Sequence, residues 1–154
     1  VRVAVLVVGG RAGTPWADAA CGDYGKRVRR WAKLEEIAVR AEPFRGDVDA
    51  VRRVESERLL RHVGPRDRLI ALDERGADLD TPGLIGMVSA ARIESFGLCF
   101  AIGGAYGHDP ATRAAAWRTV RLSACVLNHE VARVVLYEQL YRAYADLHGV
   151  PYAH

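Results

Sequence analysis

The chain has 154 residues, 50% of them apolar and 27% charged, with 22 Lys+Arg against 19 Asp+Glu for a net charge of +3. This is the size and composition of one globular domain: a folded chain of about 150 residues hides roughly 68–70% of its unfolded surface and needs no disulfide or metal staple. A disordered chain, a transmembrane protein and a histone-like basic tail are excluded. The charge is unevenly placed. Residues 1–77 carry 16 basic and 12 acidic groups and residues 78–154 carry 6 and 7, which leaves room for a local anion-facing patch in the first half.

Read in chain order, Val1–Val8 is a β-branched apolar run closed by Gly9-Gly10, the pattern of a buried strand. It is too short for the apolar region of a signal peptide. Thr14-Pro15 supplies an N-cap and a proline at the first helical position, and a helix is expected to about Ala32, weakened by Gly22 and Gly25. Leu34–Ala41 is a second strand, stopped by Glu42-Pro43. Asp47 caps a helix to about His62, with Val48, Val51, Val54 and Leu59 on one face and Gly64-Pro65 beyond it. Arg68–Asp73 is a short third strand. Asp80-Thr81-Pro82 opens a helix that closes near Gly97, and Leu98–Ile102 is a fourth buried strand. Asp109-Pro110 opens a short helix to about Trp117, Val120–Leu127 forms a fifth strand, and Asn128 caps a last helix to about His148. Apolar strands alternating with helices predict a single α/β domain, a mostly parallel sheet covered on both faces.

Several chemistries are missing. There is no G-x-x-x-x-G-K-[ST] and no G-x-S-x-G, hence no P-loop and no hydrolase elbow. Cys21, Cys99 and Cys125 are odd in number and far apart, so they read as small buried apolar residues in a reducing cytoplasm. The five histidines contain no i, i+4 pair, so no helical metal site is expected.

In parallel sheets ligands bind beyond the carboxyl ends of the strands. The conspicuous strand end is Gly103-Gly104-Ala105-Tyr106-Gly107: glycines let backbone approach a flat or anionic ligand, although a tight turn alone would also demand them. Lys26, Arg27, Arg29, Arg30 and Lys33 place five cations in eight residues around Trp31, either a phosphate-contacting surface or a solvated helix face. In the last helix Glu138, Gln139 and Arg142 interrupt an apolar face that includes Val131, Val134, Leu140, Tyr141 and Tyr144. Such polar groups are buried in pairs or reach a cleft or partner.

Four segments then stand out: F-A-I-G-G-A-Y-G-H (Phe100–His108), L-S-A-C-V-L-N-H (Leu122–His129), Y-E-Q-L-Y-R-A (Tyr137–Ala143) and H-G-V-P-Y-x-H (His148–His154). Upstream lie G-x-x-x-x-x-W ending at Trp16, Y-x-K-R at Tyr24–Arg27, E-x-E at Glu55–Glu57 and L-D-E-R-G at Leu72–Gly76. In this order and at this length, they closely resemble the ribosomal RNA large subunit methyltransferase H family, small enzymes of the SPOUT class. The resemblance implies methyl transfer from S-adenosylmethionine to N3 of a pseudouridine in large-subunit ribosomal RNA. It also implies a C-terminal trefoil knot, against the usual rule for chain connections, and a cytoplasmic homodimer with sites at the subunit interface. The cofactor is expected against Leu72, Gly103, Leu122, Ser123, Ala124, Cys125, Val126 and Leu127, and the substrate chemistry at His129, Arg142, Tyr152 and His154. The Lys26–Lys33 cluster would meet the RNA, and no metal is involved. Two positions depart from the family pattern: Ala153 replaces the first His of its Tyr-His ending, and Asn128 replaces the Pro of Leu-Pro-His. The first departure leaves open a divergent paralogue with another RNA or small-molecule substrate, or a ribosome-binding factor without activity.

Overall fold

A computed structural model describes residues 1–9 and 14–152. Five strands, β1 (Arg2–Val8), β2 (Lys33–Val39), β3 (Asp67–Asp78), β4 (Gly97–Ile102) and β5 (Arg118–Arg121), form one sheet in the order β2-β1-β4-β3-β5. Every pairing is parallel. The central strands β1 and β4 are buried on both faces, with Val3, Ala4, Val5, Leu6 and Leu98–Ala101 wholly inaccessible, as continuous apolar runs require. Helices α1 (Pro15–Val28), α3 (Thr81–Glu94) and α5 (His129–Leu147) cover one face, while α2 (Val48–Leu60) and α4 (Pro110–Ala115) cover the other.

Local signals set most boundaries. Pro15 and Pro110 occupy the first helical position and Pro82 the second. Asp47 accepts the amides of Asp49 and Ala50, Asp80 that of Gly83, and Asn128 that of Glu130, each satisfying a donor that the first turn leaves free. Three expectations need correction. The first helix stops at Val28, because Arg29–Ala32 turn back on it: the amides of Trp31 and Ala32 both donate to the Val28 carbonyl. The third strand runs on to Asp78 by way of a bulge. Pairing with β5 slips between Leu72 and Ala77, so Asp73–Gly76 leave the ladder. Gly76 crosses so close to β5 that a Cβ there would lie 2.6 Å from N, Cα and C of Val120. The fifth strand ends at Arg121, not Leu127. Ser123 Oγ accepts the Cys125 amide at 2.9 Å, and this local turn takes 122–128 out of the sheet as a loop.

The α5 helix is the hub of its layer, packing on α1 and α3. Leu136, Tyr137, Leu140 and Tyr144 are buried on it, whereas Val131, expected on the apolar face, is exposed. Its first turns are tied to the sheet by Arg133, whose Nε and Nη2 donate to the two oxygens of Glu36 at 2.9 and 2.8 Å, while Nη1 donates to Asp18 at 2.8 Å. Tyr137 donates to the same Glu36 at 2.6 Å. A buried guanidinium with a bidentate carboxylate partner is costly to break from one side, about 3–5 kcal/mol.

Candidate active site

Beyond the carboxyl ends of β3, β4 and β5 the bulge, the glycine turn and the 122–128 loop enclose a cleft of about 720 Å³, within the range that holds small-molecule ligands. Its floor is Leu72 and Ile102; its walls are Asp73–Arg75, Gly103–His108, Arg121–Ser123 and Cys125–Leu127; Asn128, His129 and Ala132 close it at the start of α5, and Arg52 reaches in from α2. The turn after β4 folds tightly on itself, since the Gly107 amide donates to the Gly104 carbonyl at 3.0 Å. A Cβ on Gly103 would lie 3.0–3.2 Å from the backbone of Gly107 and His108. Gly107 itself has φ +77°, a conformation other residues adopt at a cost. Both readings of the glycine turn therefore hold: it is a tight turn, and it offers bare backbone to the cleft.

Two buried groups brace this backbone. His108 is 2% exposed and its Nε2 lies 3.0 Å from the Ala101 carbonyl. Burial pulls its pKa below the ordinary histidine value despite that bond and the nearby Asp73 carboxylate, so it stays a neutral strut. Burial by itself would raise the Asp73 carboxyl. The amide and guanidinium of Arg75, with Arg113 behind, overcome this and hold it below its usual range. The Arg75 amide donates to Asp73 at 2.9 Å, which gives the bulge its shape and points Glu74 and Arg75 outward.

The residues expected to hold the cofactor thus come together: Leu72, Gly103, Leu122, Ser123, Cys125, Val126 and Leu127 all line the cleft, and Ala124 is exposed on the same loop. Cys125 is an exposed member of that loop and not the small buried residue expected of it; Cys21 and Cys99 are buried. His129 also lines the cleft, half-exposed, with Nε2 4.0 Å from Glu130.

Arg142 and Tyr152 lie elsewhere. Thirteen residues of helix separate Arg142 from His129, about 20 Å at 1.5 Å per residue, and α5 runs back toward the amino ends of the strands. There Arg142 donates to Glu138 Oε1 from Nε and Nη2 at 3.1 and 2.7 Å. Its guanidinium sits 4.9 Å from the centre of the Tyr152 ring, and the Tyr152 hydroxyl donates to the same Glu138 oxygen at 3.2 Å. Partial burial, then Tyr24 and Glu138, push the Tyr152 phenol upward, so it remains a donor. Gln139, the third polar group, accepts from Thr81 at 2.6 Å and donates to Glu138 at 2.7 Å.

The cationic cluster is at this same end. Arg27 lies over the rings of Tyr24 and Tyr141, 5.8 and 5.3 Å from their centres. Tyr141 meets Tyr152 edge-on at 4.5 Å, and Trp31 stacks on Tyr141, Tyr144 and His148. Arg29 donates to the Leu34 carbonyl at 3.0 Å and is exposed, as are Lys26, Arg30 and Lys33. His154 and Ala153 fall outside the described residues. Sequence reasoning missed Arg52, Arg75 and Arg121 as cleft residues. The L-D-E-R-G motif flagged one of them; nothing local marks an α2 residue as a neighbour of the glycine turn.

Among the described residues no helix is long and apolar enough to cross a membrane, and no group of three His, Cys, Asp or Glu is placed to hold a metal. Comparison with known proteins matches residues 1–154 to the family described as "Predicted SPOUT methyltransferase". A protein of Pelobacter propionicus is 40% identical over 155 residues, and one of Geotalea uraniireducens 37% over 155, both covering 100% of each chain. One of Variovorax paradoxus is 40% identical over 154 residues, covering 99% of this chain and 98% of its own. All three are named ribosomal RNA large subunit methyltransferase H. With the cleft at the strand ends and the match running the full length, this chain belongs to the SPOUT methyltransferases, whose methyl donor is S-adenosylmethionine.

Proposed function

We propose that this protein methylates N3 of a pseudouridine in large-subunit ribosomal RNA, in the cytoplasm. In this reading it works as a homodimer in which the cleft of one chain is completed by the Arg142–Tyr152 end of its partner. One observation carries the proposal: within a single chain the cleft and the Arg142–Tyr152 cluster lie at opposite ends of α5. A closed C2 arrangement supplies both halves to each of two sites. Exposed apolar side chains beside the cleft favour a covering partner. Trp16 and Val131, at the starts of α1 and α5, are 54% and 38% exposed, and the two starts are joined by the Thr14–Glu130 hydrogen bond of 3.2 Å. The trefoil crossing of the C-terminal part belongs to the same reading.

The cleft fits the methyl donor. Leu72, Leu122 and Leu127 offer apolar cover for a ring, the glycine turn offers backbone donors and acceptors, and Glu74 adds a carboxylate for a cationic centre. When bound, S-adenosylmethionine supplies an electrophilic methyl group. What this chain adds is alignment of the attacking nitrogen with that methyl, where positioning alone is worth several kcal/mol, and removal of the N3 proton. His129 stands at the cleft edge, able to accept a proton or hold the base. Arg142, anchored by Glu138, is suited to stabilise the base anion or grip a phosphate. Tyr152 stacks on or donates to the base, His154 is the alternative to His129 as proton acceptor, and Lys26, Arg27, Arg29, Arg30 and Lys33 meet phosphates nearby.

The reading is tested by mass spectrometry of ribosomal RNA from a strain lacking the gene, with and without complementation. Loss of the pseudouridine methyl and its return on complementation are expected. Persistence of the methyl in the deletion strain would refute the assignment. Calorimetry with S-adenosylmethionine separates the alternatives further: no binding would leave only a ribosome-binding role.

A further inference from the structure

At the mouth of the cleft two aromatic side chains from different loops meet in solvent. Phe44, in the segment between β2 and α2, is 54% exposed, and Tyr106, at the tip of the glycine turn, is 39% exposed. Their ring centres are 5.8 Å apart with planes 40° from one another. Single exposed apolar residues are ordinary on a protein surface; a contacting pair held in place beside a ligand cleft is a different matter. Arg52 does the holding: its Nε donates to the Tyr106 carbonyl at 2.8 Å, and Asp49 lies 3.4 Å from its Nη1. Pro43 stiffens the backbone immediately before Phe44. In the segments that carry the pair, Arg40, Arg45 and Arg53 are exposed, as are Asp47 and Asp49; Asp49 lies against Arg52, and the Glu42 carboxylate is neutralised by Arg58.

From these observations we infer that Phe44 and Tyr106 form a stacking platform for an unpaired RNA base next to the nucleotide that enters the cleft, with Arg45 and its neighbours contacting the flanking phosphates. Flat rings joined to cations suit a single-stranded nucleotide, because every base has a face to stack and every link a phosphate to neutralise. The platform adjoins the cleft that opens onto the proposed target. It is separate from the Lys26–Lys33 cluster, which lies at the other end of the same chain. The inference rests on the RNA-methyltransferase reading, and its test keeps the two apart.

The experiment is steady-state methylation of large ribosomal subunits purified from the deletion strain, comparing wild type with Phe44→Ala, Phe44→Leu and Phe44→Trp. Phe44 does not line the cleft, so S-adenosylmethionine affinity and kcat are expected to stay at wild-type values. KM for the ribosomal substrate is expected to rise about 5- to 100-fold in Phe44→Ala, the usual worth of one stacked base. Phe44→Trp restores it; Phe44→Leu, equally apolar but not flat, does not. Unchanged KM in Phe44→Ala, or a leucine as good as phenylalanine, would overturn the inference. A photo-crosslinking benzoylphenylalanine at position 44 gives an independent readout: an adduct with ribosomal RNA supports the platform, and an adduct with a ribosomal protein or a second copy of this chain refutes it. If wild type methylates nothing, the underlying functional reading has failed, which is distinct from a platform variant that works normally.

Discussion

Two inactive chains should combine into an active dimer. The perturbations are Arg142→Ala, which removes the cation at the far end of α5, and Cys125→Trp, which places a bulky indole on the exposed loop lining the cleft. Neither touches the buried core, so both chains should fold. Each homodimer then carries the same defect at both sites. In a mixed dimer with composite sites, one site joins the two defects and the other joins an intact cleft to an intact Arg142, so activity of about half the wild-type dimer is expected from C2 symmetry. The expectation is sharp because Arg142 lies about 20 Å along α5 from His129, beyond the reach of any side chain into its own cleft. The assay uses two affinity tags, tandem purification of the mixed dimer, and methyl transfer to ribosomal subunits from the deletion strain. Calorimetry should first show that Cys125→Trp has lost S-adenosylmethionine binding and that Arg142→Ala has kept it. A mixed dimer no more active than its parents would refute the composite site and place all the chemistry within one chain.

The β3 bulge and the cysteines make two further tests. Gly76→Ala forces a Cβ against three backbone atoms of Val120 at 2.6 Å, so overpacking should cost about 1–3 kcal/mol in urea unfolding. It should also weaken cofactor binding by displacing Asp73–Arg75; a variant as stable as wild type would mean that the β3–β5 crossing is looser than described. Burial pushes the Cys21 thiol up to about 11, against the pull of Arg133, and the Cys99 thiol, with help from Asp67, up to about 12. Both are therefore neutral and unreactive at pH 8 and would gain nucleophilicity only as pH rises toward those values. Iodoacetamide should modify Cys125 alone in the native protein, more slowly with S-adenosylmethionine present, and all three cysteines in urea. Native labelling at Cys21 or Cys99 would contradict the packing.

Much of this protein is written locally. The valines of β1, the proline-headed helices, and the caps at Asp47, Asp80 and Asn128 act over a few residues, so sequence alone determines the order of strands and helices and hence a covered parallel sheet. The glycine turn after β4 was legible for the same reason: a strand end is a local feature, and strand ends in such sheets face ligands. Residues 72–74 and 122–128 were legible as strand ends too, but only their likeness to a family marked them as a cofactor site, since no period or cap does so. What the tertiary structure decided is long-range. The slip in register that throws Asp73–Gly76 out of β3 depends on how β5 pairs with it, and the early end of β5 depends on a turn that competes with the ladder. Arg52 reaches Tyr106 across 54 positions of sequence. The placing of Arg142 and Tyr152 far from their own cleft follows from the direction in which α5 packs on α1 and α3. Hydrophobic periodicity says which face of a helix is buried, but only packing against distant elements says toward which end of the sheet the helix carries its charge.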